Sequence, residues 1–384
     1  MTAPFDVIVL GVGGMGSAAC HQLARRGARV LGLEQFTLRH DRGSSHGETR
    51  IIRQAYFEHP DYVPLLLRTY DLWHQLEQAA GGTLFQQVGL VLSGVRTGET
   101  IAGAKMSADL HQLAIEELTA TDANRRWPSL TFPAEHMVVF EPLAGLLRVE
   151  DCVQAHIDQA IQCGAVIQPD ERVRDWTSNG SSVVVRTDRA EYSAGSLVIT
   201  AGAWASQCLS EIGLPLNVVR KFVGWFPIRD GRFGVDQGMP TYFFELPHGT
   251  FYGFPSMDGR TVKLAEHSGG QPVDDPAHVD RAMHDEDITR LADFIRLHLP
   301  GLDTTPARHS VCLYTLTPDQ HFIVDTHPQW NNVAIAAGFS GHGFKFAPVI
   351  GEALADLALN RSTTLPISFL SLQRFQQSNP IAQS

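Results

Sequence analysis

A strand-like run, Asp6–Leu10, passes directly into Gly11-Val12-Gly13-Gly14-Met15-Gly16 and then into a helical stretch, Ser17–Arg26. No other feature of the 384-residue chain restricts its fold as strongly. In a G-x-G-x-x-G turn, Gly11 permits the tight reversal, Gly13 lets the backbone approach a pyrophosphate, and Gly16 lets the helix sit close to the sheet. The helix N-terminus then favours phosphate charge. Gly27 stands where a helix C-terminus is usually capped. Val30–Leu33 reads as a second buried strand, and Glu34 ends it, about 20 residues on, where an acid accepts a ribose hydroxyl. Right-handed crossover makes the two strands of this βαβ unit parallel. The expected ligand is a dinucleotide. The motif alone does not separate FAD from NAD, and a glycine-rich turn in another α/β protein is the plainer alternative.

Composition narrows the partners. With 43% apolar and 18% charged residues the chain is ordinary for a packed globular protein. A formal net charge of −11 repels phosphate backbones, and no basic tract offsets it, so nucleic-acid binding is not expected. No apolar run approaches the ~18 residues that span a bilayer, and Met1–Asp6 lacks the basic and apolar regions of a signal peptide. Five cysteines (Cys20, Cys152, Cys163, Cys208, Cys312) lie far apart without C-x-x-C spacing. That argues against disulfides and against a metal site, and fits a reducing cytoplasm.

Further along, Tyr62–Leu76, Val149–Gln162, Ile288–Leu299 and Phe346–Leu359 read as helices. Ala165–Gln168, Ser196–Thr200 and Val333–Ala337 read as buried strands. Val173–Trp176, Val183–Arg186 and Glu191–Ser193 suggest an antiparallel meander turning at Asn179-Gly180. Arg39–Arg53 is a long polar stretch, and Asn217 to about Gly269 is mostly strand-like. Nucleotide-binding character thus recurs at the start, middle and end of the chain, with antiparallel material inserted between.

Within the polar stretch, Ser44-Ser45-His46-Gly47-Glu48-Thr49-Arg50-Ile51-Ile52-Arg53 resembles the G-S-x-H-G-D-T-R-x-I-R segment of the monomeric sarcosine oxidase and N-methyltryptophan oxidase family. Tyr252-Gly253-Phe254-Pro255, Lys263–His267, Cys312 and Gly338-Phe339-Ser340-Gly341-His342-Gly343-Phe344-Lys345 recur in the same order over essentially the whole chain. The resemblance implies an α/β plus β fold of the D-amino-acid-oxidase type. In it a Rossmann-like FAD domain (1–85, 145–218 and 306–384) carries an antiparallel-sheet substrate domain (86–144 and 219–305). It also implies FAD bound covalently through Cys312. Besides Gly11, Gly13, Gly14, Gly16 and Glu34, the implied cofactor contacts are Ser45, Thr49, Arg50, Val173, Gly202, Gly341, Gly343 and Lys345.

The residue chemistry is compatible with those roles. A thioether to the flavin 8α-methyl needs a deprotonated sulfur, and Arg308 and His309 precede Cys312 closely enough to be candidates for lowering its pKa. Taken alone, Cys312 would be a buried core thiol. Period-two alternation places Lys263 and His267 on one face of a strand, about 13 Å apart, where both can line one cavity wall. In the family the lysine promotes reoxidation by oxygen, and a fixed cation stabilises a superoxide-like anion as it forms. A strand-edge lysine in water is the ordinary alternative.

Arg50 and Arg53 are three apart, a spacing that a helical turn would put on a common face. The resemblance has Arg53 and Lys345 holding the substrate carboxylate, with Arg50 against the flavin. Otherwise these basic residues would form a surface ion pair with Glu48 or Asp61. Tyr252 and His267 are expected in the substrate pocket, neither as an obligatory base. Phe243 and Phe244 hint at an aromatic-lined cavity, although paired phenylalanines are more often core.

The activity so implied is oxidation of a secondary (N-methyl) amino acid by a monomeric FAD enzyme. Its products are formaldehyde, the demethylated amino acid and hydrogen peroxide from oxygen. Sarcosine and N-methyltryptophan fit best. A dehydrogenase, an oxidase of a cyclic imino acid such as pipecolate, and a non-catalytic dinucleotide-binding protein are the rival readings.

Overall fold

A computed structural model describes residues 5–376. Met1–Pro4 and 377–384, both assigned to the FAD domain on sequence, lie outside the described residues. The opening βαβ unit is present: Phe5–Leu10 and Val30–Leu33 pair in parallel, with the helix Gly14–Ala24 between them. The helix starts at Gly14, earlier than Ser17, because the glycine cluster itself forms its first turn. A Cβ on Gly16 would sit 1.7 Å from the Gly11 carbonyl oxygen, so only glycine lets helix and strand approach this closely.

Around this unit an eight-stranded sheet runs Val173–Ser178, Val183–Thr187, Glu191–Ile199, Phe5–Leu10, Val30–Leu33, Val166–Gln168. Val333–Ala337 joins the end of Glu191–Ile199 in parallel, and Ile323–Thr326 pairs with it antiparallel. The sequence suggested two strands, Glu191–Ser193 and Ser196–Thr200, but they form one. Its first half closes the meander against Val183–Thr187, and its second half lies beside Phe5–Leu10. Helices Gly14–Ala24 and Ala347–Asn360 cover one face, with Ala18 so close to Gly351 that a Cβ there would come within 2.6 Å of backbone.

The second sheet has nine strands and is antiparallel except where Thr241–Leu246 runs parallel to Leu90–Gly94. Its centre is Asn217–Pro227, Thr261–Glu266, Gly249–Gly253 and Thr241–Leu246 in that order, and Arg308–Leu316 pairs with Asn217–Pro227. Side chains alternate between two environments. Val262, Leu264, Phe244 and Phe251 join Leu291, Phe294 and Ile295 of helix Asp285–His298 in an apolar core. Lys263, Tyr252 and Phe243 point to the other face. Phe243 and Phe244, adjacent in sequence, therefore face different surroundings: Phe244 belongs to this core, while Phe243 packs in a separate apolar cluster with Leu90, Leu92 and Val139 and lines a cavity.

The stretch that reads as polar and irregular contains a strand, Thr49–Ile52, paired antiparallel with Gly145–Arg148. Arg50 and Arg53 therefore do not share a helical face. Arg50 lies within the strand, opposite Leu147, and Arg53 follows its end. Among the described residues no helix is long and apolar enough to cross a membrane, and no group of His, Cys, Asp and Glu could hold a metal.

Candidate active site

A cavity of about 680 Å³ opens where the parallel strands end at the glycine turn. That volume falls within the range of cofactor pockets. Gly11, Gly13, Gly14 and Glu34 form one end of its wall, and Ser45 and Arg50 continue it. Val173, Gly202, Gly341 and Gly343 also line it. Gly16 acts through close packing instead. The buried Glu34 carboxylate accepts from the Val12 amide (2.9 Å) and the Phe36 amide (3.1 Å), fastening the turn to the second strand. Ser45 Oγ accepts from the Gly14 amide at 3.1 Å, which ties the resemblance-bearing loop to the helix start.

The cavity suits a dinucleotide on its own evidence. Thr315 lines it, yet its buried hydroxyl has no partner within the protein, a rare state in a native fold. Gly202 takes φ +53°, with open space where a Cβ would project. A polar ligand along this wall would satisfy the hydroxyl.

Cys312 is buried just behind the wall. Its sulfur lies 3.4 Å from Arg50 Nη2 and 3.6 Å from the Ser44 carbonyl, both parts of cavity-lining residues. Burial alone would raise the thiol pKa, but Arg50, then His46 and Lys263, outweigh it and bring it down to about 6. Arg308 and His309 do not act as the sequence suggested. Arg308 is drawn to Glu48 and stacks 3.9 Å from the Trp225 ring, while His309 faces the Arg281 carbonyl at 3.1 Å on the other side of the strand.

Lys263 reaches across to the loop instead of standing on a cavity wall. Its amine donates to the Gly47 carbonyl (2.5 Å), the Thr49 carbonyl (2.7 Å) and Thr49 Oγ1 (3.1 Å). Thr49 is thus occupied in holding the lysine. Burial, then the nearby Arg50, pull the amine's pKa well down. Two carbonyl oxygens and the Thr49 hydroxyl surround the nitrogen, a set able to accept the three donors of an ammonium. Glu150, in the first turn of helix Val149–Gln162, accepts from the Gly47 (2.7 Å) and Glu48 amides and so fixes the loop that holds Lys263.

A smaller chamber of about 70 Å³ shares Arg50, Tyr314, Gly341 and Phe344 with the large cavity. Arg53, Lys345, Tyr252 and His267 line it, as the sequence suggested. His267 therefore does not share a cavity wall with Lys263. Arg53 pairs through Nη2 with both carboxylate oxygens of Glu58 (2.6 and 2.7 Å), not with Glu48 or Asp61, and its Nη1 donates to the Ala55 carbonyl at 3.2 Å. Its guanidinium lies about 4 Å from the rings of Tyr56 and Phe57. Lys345 donates to the His342 carbonyl at 2.6 Å, and burial and Arg53 lower its pKa to about 7.

Both imidazoles in the chamber are neutral near pH 7. His342 faces the Gln320 carbonyl through Nε2 (2.9 Å), so its Nδ1 accepts from Tyr56 Oη (2.5 Å). Burial is the main reason that its pKa falls to about 4 and that of His267 to about 3. Three basic side chains, Arg50, Arg53 and Lys345, line a chamber that holds the single carboxylate of Glu58, which leaves it complementary to a further anion. Glu58, Phe57, Leu90 and Tyr314 carry no local sequence signal for this placement, whereas His342 stands within the Gly338–Lys345 motif between residues expected at the site.

A family model described as FAD dependent oxidoreductase matches residues 6–357. The chain is 40% identical to monomeric sarcosine oxidase of Bacillus sp. (strain B-0618) over 379 residues, covering 97% of each. It is 37% identical to N-methyl-L-tryptophan oxidase of Yersinia pestis, covering 97% of this chain and 100% of the relative. The solved structure of NikD, described as an unusual amino acid oxidase essential for nikkomycin biosynthesis, superposes with a TM-score of 0.84 at 29% identity, covering 96% of this chain and 98% of that one. With a family model matched from residue 6 to 357 and relatives 37–40% identical over nearly their whole length, the chain belongs to the FAD-dependent oxidoreductases, in the family of monomeric sarcosine oxidase and N-methyl-L-tryptophan oxidase.

Proposed function

We propose that this chain is an oxidase of secondary, N-methyl amino acids. The N-methyl carbon is oxidised to an imine, which water hydrolyses to formaldehyde and the demethylated amino acid, while oxygen becomes hydrogen peroxide. The observation that carries this reading is the pair of buried cations, Arg53 and Lys345, in a chamber that shares four residues with the cofactor cavity. When bound, FAD supplies a two-electron acceptor for the substrate C–H bond and a route for those electrons to oxygen.

The chain's own residues do the rest. Arg53 and Lys345 hold the carboxylate and thereby orient the amine. The neutral His267 and Tyr252 border the amine without adding positive charge. Lys263 provides fixed positive charge for oxygen reduction, and Cys312 anchors FAD through a thioether. The segments 1–85, 145–218 and 306–384 make up the cofactor domain, and 86–144 and 219–305 the substrate domain. The strand Arg308–Leu316 carries Cys312 while pairing with the second sheet, so it joins the two. The protein works as a cytoplasmic monomer, a reading supported by its acidity and its unpaired cysteines.

The test is stoichiometry with sarcosine and with N-methyl-L-tryptophan as donors. One formaldehyde and one peroxide per amine consumed supports an oxidase. Amine loss without peroxide identifies a dehydrogenase. Arg53→Ala should raise KM about 10²-fold, in line with the ~2–5 kcal/mol cost of breaking a buried charge pair. A steady-state KM unchanged by the substitution places the carboxylate elsewhere.

A further inference from the structure

The chamber's cationic residues explain how a carboxylate is held but not what the rest of the amino acid meets. Around Arg53 and Lys345 the wall is apolar: Ile51, Phe57, Leu90 and Phe243 line it. Phe243 sits in Thr241–Leu246 directly opposite Tyr252 on the neighbouring strand, so both side chains leave the same face of the sheet. Its ring is held on two further sides, by Phe57 at 5.3 Å and edge-on by His267 at 5.8 Å. Phe57 in turn lies 4.0 Å from the Arg53 guanidinium. Phe243 is thus a buried, braced ring that cannot swing aside without disturbing the residues that hold the substrate's carboxylate and border its amine.

The size of the chamber makes that ring consequential. At ~10–15 Å³ for each water, about 70 Å³ holds roughly six water-sized atoms. N-methylglycine has about six non-hydrogen atoms, and the indolylmethyl side chain of N-methyltryptophan adds about ten more, well beyond that room. We propose that Phe243, braced by Phe57 and His267, sets the size limit on the substrate's α-substituent. The native site then takes N-methyl amino acids with no α-substituent or a methyl group and rejects aromatic ones. The mechanism is steric exclusion at an unyielding wall, a negative form of selectivity. It rests on the amino-acid oxidase reading above, and neither Phe57 nor His267 needs to move for it to operate.

The experiment compares kcat/KM for sarcosine, N-methyl-L-alanine and N-methyl-L-tryptophan in the native enzyme, Phe243→Ala and Phe243→Leu. In parallel, dissociation constants are measured for acetate and indole-3-acetate, which carry the carboxylate but no oxidisable amine. The native enzyme should favour sarcosine over N-methyl-L-tryptophan by at least about 100-fold, and Phe243→Ala should narrow that ratio by at least about 10-fold. Phe243→Leu, which keeps an apolar filling if the alanine variant does not fold, should fall between. Indole-3-acetate should bind the variants more tightly relative to acetate than it binds the native protein. Native turnover of N-methyl-L-tryptophan as efficient as that of sarcosine overturns the size limit while leaving the oxidase reading intact. A ratio unchanged in both variants overturns the role of Phe243. If no amine reacts, the oxidase reading fails, and the two acetates still decide whether Phe243 limits size.

Discussion

Cys312→Ala should give protein from which acid precipitation strips all the yellow colour, whereas the native pellet stays yellow. The difference is complete because it separates a covalent bond from a set of non-covalent contacts. The sulfur is prepared for that bond by its surroundings. Burial opposes the thiolate, yet Arg50 at 3.4 Å, His46 and Lys263 together bring its pKa to about 6, far below an ordinary thiol. In flavin-free protein, covalent attachment should accordingly slow as pH falls through about 6 and stay level between pH 7 and 9. An ordinary thiol would still be gaining reactivity across that upper interval. A colourless native pellet, or a yellow one from Cys312→Ala, contradicts the assignment.

Lys263→Met should slow the reaction of reduced enzyme with oxygen by about 10²–10³-fold, the scale of removing one preorganised charge from a buried site. Reduction by the amine should change far less. The contrast follows from position. Lys263 is held by Gly47 and by Thr49, the residue that precedes Arg50 in its strand, and does not line the substrate chamber. Methionine keeps the length and apolar stem that pack near Phe254, 4.6 Å from the amine, and removes the charge. Stopped-flow measurement of the two half-reactions separates the outcomes, and equal loss in both contradicts a role confined to oxygen.

What the sequence revealed and what it hid divide along physical lines. The glycine turn, its helix and Glu34 were legible because their interactions are local: one βαβ unit states its own requirements through a few spacings. Lys263 was readable in part, since period-two alternation is also local, and Val262 and Leu264 do face the core as that pattern requires. The contacts of Cys312 were not. Arg50 approaches it from 262 positions away, while the adjacent Arg308 and His309 are engaged elsewhere.

Arg50 and Arg53 carry the same lesson. Their spacing suits a helix, but pairing with Gly145–Arg148 makes the segment a strand, and no local pattern announces a partner so distant. Glu58 was equally hidden, because nothing near it in the sequence signals a buried ion pair with Arg53. Phe243 and Phe244 look alike in sequence, and only the direction of the sheet's faces assigns one to the chamber and the other to the core.

Anaerobic mixing with an N-methyl amino acid addresses the central claim most directly, since it joins the two cavities in one observation. Purified protein given sarcosine without oxygen should lose its visible flavin absorbance and regain it when air is admitted. Absorbance that stays unchanged under sarcosine and N-methyl-L-tryptophan alike would contradict the proposal that Arg53 and Lys345 hold an amino acid for oxidation.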